Sequence, residues 1–290
     1  MRWKVKYGSI MVKIITDSTC DLSSDLVKKY DIEVIPLYVN FGEETFKDGV
    51  EIDTPKLYEE VEKRKALPKT AAISALELEE AFRKWVDKGY EVVYTGISGQ
   101  MSSTLQNAKI AAKEIGEDKV YPVDSKNLST GISLLLLKAC KDRDNGLSAK
   151  EIAANMEKNR EKVYTQFVIE TMEYLHKGGR CSGIARFAAT ILRIKPIIQV
   201  RDGKMSVQQK PIGKTKIALD RMVDQIRQDK DRLDLDCIFI THSIAPESKT
   251  YLHDVLSKEF PGVPLYETTA GCVISSHCGK GCIGILYMVK

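Results

Sequence analysis

The chain has 290 residues, 43% apolar and 29% charged, and 44 basic against 40 acidic side chains leave a formal charge of +4. This is ordinary globular composition with length for a large core, and it points to two domains sooner than one. The charge is too mild for a nucleic-acid partner, and no apolar run reaches the roughly 18 residues that span a bilayer.

Residues 1–10 are basic but lack the apolar stretch of a signal peptide; Met11 offers an alternative start, so they read as an extension. Met11 to Thr16 is a first strand, and Asp17-Ser-Thr-Cys-Asp21 is a polar turn at its end, where open α/β sheets place their sites. A short helix ends near Tyr30. Glu33 to Asn40 reads as a second strand, with a hairpin tip over Phe41 to Phe46. A helix starts at Asp53-Thr-Pro, with Thr54 as cap and Pro55 at the first helical position. Lys65 to Ile73 reads as a loop. Ser74 and Glu77 form a capping box ahead of the apolar face Leu78, Ala81, Phe82, Trp85 and Val86. The apolar run 91–95 feeds a hydroxyl-rich turn, Gly96 to Thr104, and then a helix carrying Leu105, Ala108, Ala112 and Ile115. Val120 to Val123 is a strand ending in Asp124-Ser125. An apolar helix follows to Cys140, and Ser148 with Glu151 opens another. Strand and helix alternate to about Arg160, the pattern of a mostly parallel sheet with helices on both faces.

The second part changes character. Lys162 to Glu170 is a strand, and a short helix over 171–177 stops at Gly178-Gly179. Ile184, Phe187, Ala188, Ile191 and Leu192 fall on one helical face. Lys195 to Val200 and Lys204 to Pro211 flank the hairpin turn Asp202-Gly203. A helix (214–227), a strand (236–241), a helix (247–260) and two closing strands complete the chain. The expected fold is α/β in two domains: 11–160 with a mostly parallel sheet, and 161–290 as α+β with a mixed sheet.

The turn Gly96 to Thr104 offers an anion short hydroxyl donors and the free N–H groups of a helix start. A serine acting only as an N-cap accounts for the same pattern. His277 lies between Ser275-Ser276 and a glycine-rich turn, exposed at a strand end, in a setting for a proton or hydrogen-bond switch. Arg180 follows Gly-Gly and reads as an anion-facing cation or a surface ion pair. His176, His242 and His253 read as packing or surface residues. Cys272, His277, Cys278 and Cys282 lack the tight pairing of structural zinc, so no metal is expected. Seven scattered cysteines suggest reduced thiols and a cytoplasmic protein. Ser102 with His277 as base and Asp17 or Asp124 as acid gives an alternative reading, a stand-alone acyl hydrolase or transferase. There is no G-x-S-x-G elbow, phosphate loop or dinucleotide fingerprint, and no cofactor is expected.

A series of short motifs runs from Val12 to the C-terminus: Ile15-Thr-Asp-Ser-Thr-Cys-Asp-Leu22, Lys47-Asp-Gly49, Pro68-Lys-Thr70, Ile97-Ser98, Met101-Ser102, Thr104-Leu-Gln106, Val123-Asp-Ser125, Tyr174-Leu-His-Lys-Gly-Gly-Arg180 and His277-Cys-Gly-Lys-Gly281. In order and number they resemble the DegV family of bacterial fatty-acid-binding proteins. The resemblance implies a two-domain protein holding one long-chain fatty acid, such as palmitate, stearate or oleate, in a buried tunnel. It implies that Thr70 and Ser102 bind the carboxylate and that Arg180 and His277 support the head group. It further implies an ATP-binding fatty acid kinase subunit as partner, with transient membrane contact. Ile184, Phe187 and Ile191 are the expected tunnel wall, unless they only form core. Three motifs depart from the family pattern. Thr-Ser-Gln is here Thr70-Ala-Ala72, Ser-Gly-Thr is Ser102-Ser-Thr104, and Gly-Pro-Gly is Gly279-Lys-Gly281.

Overall fold

The computed structural model describes residues 11–182, 184 and 194–290. The first half runs β1 (Met11–Asp17), a 3-10 turn, α1 (Ser24–Lys29), β2 (Glu33–Ile35), β3 (Tyr38–Phe41), β4 (Glu44–Lys47), α2 (Thr54–Arg64), β5 (Lys69–Ala71), α3 (Ala75–Val86), β6 (Tyr90–Gly96), α4 (Thr104–Ile115), β7 (Val120–Asp124), α5 (Thr130–Asp144) and α6 (Ala149–Asn159). Strands β2-β1-β6-β7, in that order, form a parallel sheet. In β1 and β6 every residue but the first is buried, as a parallel sheet covered on both faces requires. Lys13 is the exception in chemistry, not in burial. Its Nζ bonds Asp31 at 2.7 Å and lies 4.2 Å from the Trp85 ring centre.

The second half runs β8 (Val163–Val168), α7 (Glu173–Gly178), β9 (Cys181–Ser182), β10 (Ile197–Arg201), β11 (Lys204–Gln209), α8 (Thr215–Gln228), β12 (Ile238–His242), α9 (Pro246–Glu259), β13 (Leu265–Thr269), α10 (Cys272–Cys278) and β14 (Ile283–Met288). Its sheet has the order β13-β12-β14-β8-β10-β11-β9 and is mixed: β12 pairs parallel with β13 and antiparallel with β14. The β10–β11 hairpin turns on Asp202 (φ 50°) and Gly203 (φ 78°), the two left-handed positions a type I′ turn needs.

Helix α5 joins the two sheets. Its Ile132, Leu135 and Leu136 are fully buried in a core that also holds Ile14 and Val93 of the parallel sheet and Phe167 and Leu286 of the mixed one. The first two turns of α5, Thr130 to Leu137, carry no charge, as such a position demands, and its charged residues gather in the later turns. A second core lies between the mixed sheet and α8 and α9, and a third between the parallel sheet, α3 and α4.

Four local expectations change. The run 33–40 breaks at Pro36, which carries no ladder donor. The chain leaves the parallel sheet after Ile35, and β3 pairs antiparallel with β4 and β5 instead. The cap of α2 is Asp53, which accepts from Lys56 N at 2.9 Å; the Thr54 hydroxyl instead donates to the Ala270 carbonyl at 2.6 Å. The loop 65–73 contains a strand, β5, because Lys69–Ala71 completes the edge of β3. The closing strands are separated by helix α10, so His277 sits in the last turn of a helix, half-buried, and not at an exposed strand end. Both capping boxes form as the sequence indicates.

Candidate functional site

Helix α10 is the element that brings distant motifs together. It has no local side-chain cap. Its first N–H groups are taken by carboxylates from the other end of the chain. Asp21 accepts from Gly271 N at 2.8 Å, and Asp48 accepts from Cys272 N at 2.7 Å and Val273 N at 3.2 Å. Negative charge at a helix N-terminus is favourable, and these bonds satisfy donors that would otherwise be stranded in the core. Burial pushes the Asp48 carboxyl up, and the Asp21 carboxyl well up, from the ordinary aspartate range.

The other end of α10 forms one wall of a cavity of about 180 Å³. Thr70, Ser102, Arg180 and His277 all line it, with Ala71, Ala72, Met101, Leu128, Ile274 and Cys278 among the apolar walls. Four positions from four separate motifs therefore share one concave surface. Each arrives by a different element: Thr70 on β5, Ser102 before α4, Arg180 after α7 and His277 on α10. Ala71 and Ala72 give this part of the wall methyl groups where the family pattern has polar ones. Lys280 is exposed and is not among the lining residues.

Thr70 Oγ1 lies 2.9 Å from His277 Nε2. His277 Nδ1 is buried and has no partner among the described residues. A proton on Nδ1 would be a stranded donor, so the neutral tautomer with its proton on Nε2 fits, and that proton is donated to Thr70. The threonine proton is then free to face the cavity. Burial, with the Arg180 charge nearby, lowers the His277 pKa to about 4, which keeps the ring neutral near pH 7. Gly178 permits this placement, since a Cβ there would come 2.4 Å from His277 Nδ1. Gly179 (φ 67°) supplies the left-handed cap of α7. The Gly-Gly pair thus does two jobs, of which only the cap was legible. Arg180 is exposed, and its guanidinium donates to the Gly178 carbonyl at 2.7 Å.

Ser102 is half-buried. Its Oγ accepts from Thr104 N at 3.3 Å and lies 2.9 Å from Thr104 Oγ1. The N-cap position of α4 is Ser103, which makes no side-chain cap bond. Ser98 instead donates to the Gly203 carbonyl at 2.9 Å and ties this turn to the β10–β11 hairpin.

The hydrolase constellation is not assembled. Ser102 bonds Thr104, and His277 bonds Thr70. Asp17 accepts from Tyr94 and from Ile97 N, each at 3.0 Å, and from Thr19. Asp124 accepts from Lys126 N at 2.9 Å. Neither carboxylate reaches the imidazole among the described residues. Ile184 is buried within the shared core and is not among the residues lining this cavity. Phe187 and Ile191 lie outside the described residues. All seven cysteines are buried, and none is in a disulfide. Among the described residues, no helix is long and apolar enough to cross a membrane.

The family model described as "Uncharacterised protein, DegV family" matches residues 11–290. A DegV domain-containing protein of Clostridium perfringens is 33% identical over 280 residues, covering 96% of this chain and 98% of that one. The fatty-acid-binding DegV family protein of Thermus thermophilus superposes with a TM-score of 0.89 at 27% identity, covering 97% of this chain and all of the other. A stearic-acid-binding protein of Eubacterium ventriosum gives 0.86 at 26% identity, with 97% and 99% covered. With a family model spanning both sheets and the helix between them, the chain belongs to the DegV family.

Proposed function

We propose that this protein binds one long-chain fatty acid and presents its carboxylate to an ATP-binding partner kinase. The observation that carries the reading is the juxtaposition of Thr70 and Ser102 on one cavity whose remaining wall is largely apolar. Similar solved proteins that bind fatty acids, one of them stearic acid, support it.

The chemistry suits such a ligand. Two neutral hydroxyls hold a carboxylate by hydrogen bonds of about 1.5–3 kcal/mol each. They leave its charge unpaired, so an oxygen stays nucleophilic toward the γ-phosphorus of ATP. Attack there releases ADP and leaves an acyl phosphate. In this reading Arg180, exposed and lining the same cavity, neutralises phosphate charge. The acyl tail supplies the affinity: ~15 methylenes at about 0.8 kcal/mol each give ~12 kcal/mol before ordering costs.

The tail runs inward past Leu128, Ile274 and Cys278. These residues line both the head-group cavity and a chamber of about 20 Å³ bounded by Phe167, Thr241 and Leu286. That chamber is the size of about one water, so the tail enters by parting its walls. Loading involves transient membrane contact, because long acyl chains partition strongly into bilayers.

Native mass spectrometry after gentle purification tests the reading. The expected spectrum carries one additional mass in the C14–C18 fatty-acid range. Protein that arrives empty and takes up neither palmitate nor oleate would contradict it.

A further inference from the structure

We propose that Thr104 is a positioning residue for the carboxylate site, holding the Ser102 hydroxyl so that its proton faces the ligand. The inference rests on the fatty-acid reading above and deepens it.

The direction of the Ser102–Thr104 bond follows from burial. The two hydroxyl oxygens are 2.9 Å apart, and either could donate. Thr104 is fully buried, and among the described residues Ser102 is the one side chain its hydroxyl meets. Were Ser102 the donor, the Thr104 proton would be left in the core without an acceptor, which is the costly arrangement. With Thr104 as donor, every buried proton is satisfied, and the proton left over belongs to half-buried Ser102 on the cavity wall. Thr104 N also donates to the Ser102 oxygen at 3.3 Å, which fills a further lone pair from behind. Ser102 therefore reaches the cavity as a donor.

Across the cavity, His277 does the same for Thr70. Each ligand-facing hydroxyl accepts from a group set deeper in the protein and has its own proton to give. Two such donors favour an ionised carboxylate over a head group lacking that charge. The backing residue on the serine side comes from the same strand-to-helix turn, two positions on, which makes Thr104 more than a helix-start residue.

The test is a competition titration of the delipidated full chain with palmitate and with methyl palmitate. Thr104→Val keeps the shape and removes the hydroxyl. It is expected to weaken palmitate about tenfold and methyl palmitate by less than about twofold. Thr104→Ser should restore palmitate binding to within about twofold of wild type, because the donor is kept. Thr104→Val added to Ser102→Ala should weaken palmitate no further than Ser102→Ala alone, as expected for residues acting through one another. Equal loss for both ligands, failure of Thr104→Ser to restore binding, or wild-type affinity in Thr104→Val would overturn the proposal. If Ser102→Ala weakens palmitate while Thr104→Val does not, the fatty-acid reading stands and this inference falls. A wild-type chain that binds no palmitate removes both.

Discussion

Two polar turns follow strands of the parallel sheet, and they serve opposite ends. After β1, the turn Asp17–Asp21 is rich in carboxylates, and Asp17 and Asp21 are consumed inside the protein. Asp17 collects Tyr94, Ile97 N and Thr19, while Asp21 collects Ser129 and Gly271 N. After β6, the turn 97–104 is poorer in charge, yet it leaves Ser102 facing a cavity. The lesson is that a polar strand end marks a binding site only where a hydroxyl or charge is left over after the backbone has been satisfied. The first turn assembles the fold and holds α10 in place; the second lines the cavity.

Breaking this contrast should show its largest effect at Asp17. Asp17→Ala strands four buried donors, at about 1 kcal/mol or more each, so roughly 4 kcal/mol or more of stability should be lost in chemical denaturation. The palmitate affinity of the folded fraction should stay within about twofold, because Asp17 does not line the cavity. Loss of affinity with stability intact would erase the distinction between the two turns. The mirror experiment is Thr70→Ala with Ser102→Ala. It should lower palmitate affinity by about 3 kcal/mol or more, around a hundredfold, while costing little stability. Isothermal titration gives the first quantity and thermal unfolding the second.

A smaller effect is expected from His277. Its folded-state pKa of about 4 lies below the ordinary 6.5, so the unfolded chain takes up the proton first as the pH falls. The contribution of His277 to stability is fully present above about pH 6.5 and is lost as the pH drops through about 4. His277→Gln should remove that part of the acid sensitivity. Asp17, Asp21 and Asp48 act in the opposite sense. Burial raises their pKa values, so their contribution is present at low pH and fades as the pH rises through the raised values. The readout is therefore the difference between wild type and variant over pH 4–6.5, and parallel profiles would contradict the neutral, buried imidazole. The smallest effect belongs to Ser148→Ala, which removes one capping box remote from the cavity. It should cost about 1 kcal/mol of stability and leave palmitate binding unchanged.

Both turns read alike in the chain itself, as polar strand ends; much of the surrounding fold was legible, and the exceptions share a cause. The alternation to residue 160, the capping boxes at Ser74 and Ser148 and the Asp202-Gly203 hairpin are local patterns, and each forms as read. Helix α10 was not legible. It is seven residues long, buried on nearly every side, and capped by Asp21 and Asp48, 250 and 224 positions earlier in the chain. A sequence window contains neither its cap nor an amphipathic period. The same holds for β5, whose pairing with β3 is not a property of Lys69–Ala71 alone. At the cavity, Thr70, Ser102, Arg180 and His277 could be named from motifs. The packing of Gly178 against the imidazole could not, because it joins distant positions in space; the Ser102–Thr104 bond is local, but the burial of Thr104 that gives it meaning is not.

Carbon-13 NMR of carboxyl-labelled palmitate reads directly the proposed contact of a carboxylate with Thr70 and Ser102. The prediction is a bound carboxyl resonance distinct from that of free palmitate, moved by Thr70→Ala and by Ser102→Ala and left in place by Ser148→Ala. A bound resonance that is the same in wild type and in the Thr70→Ala, Ser102→Ala double variant would contradict it.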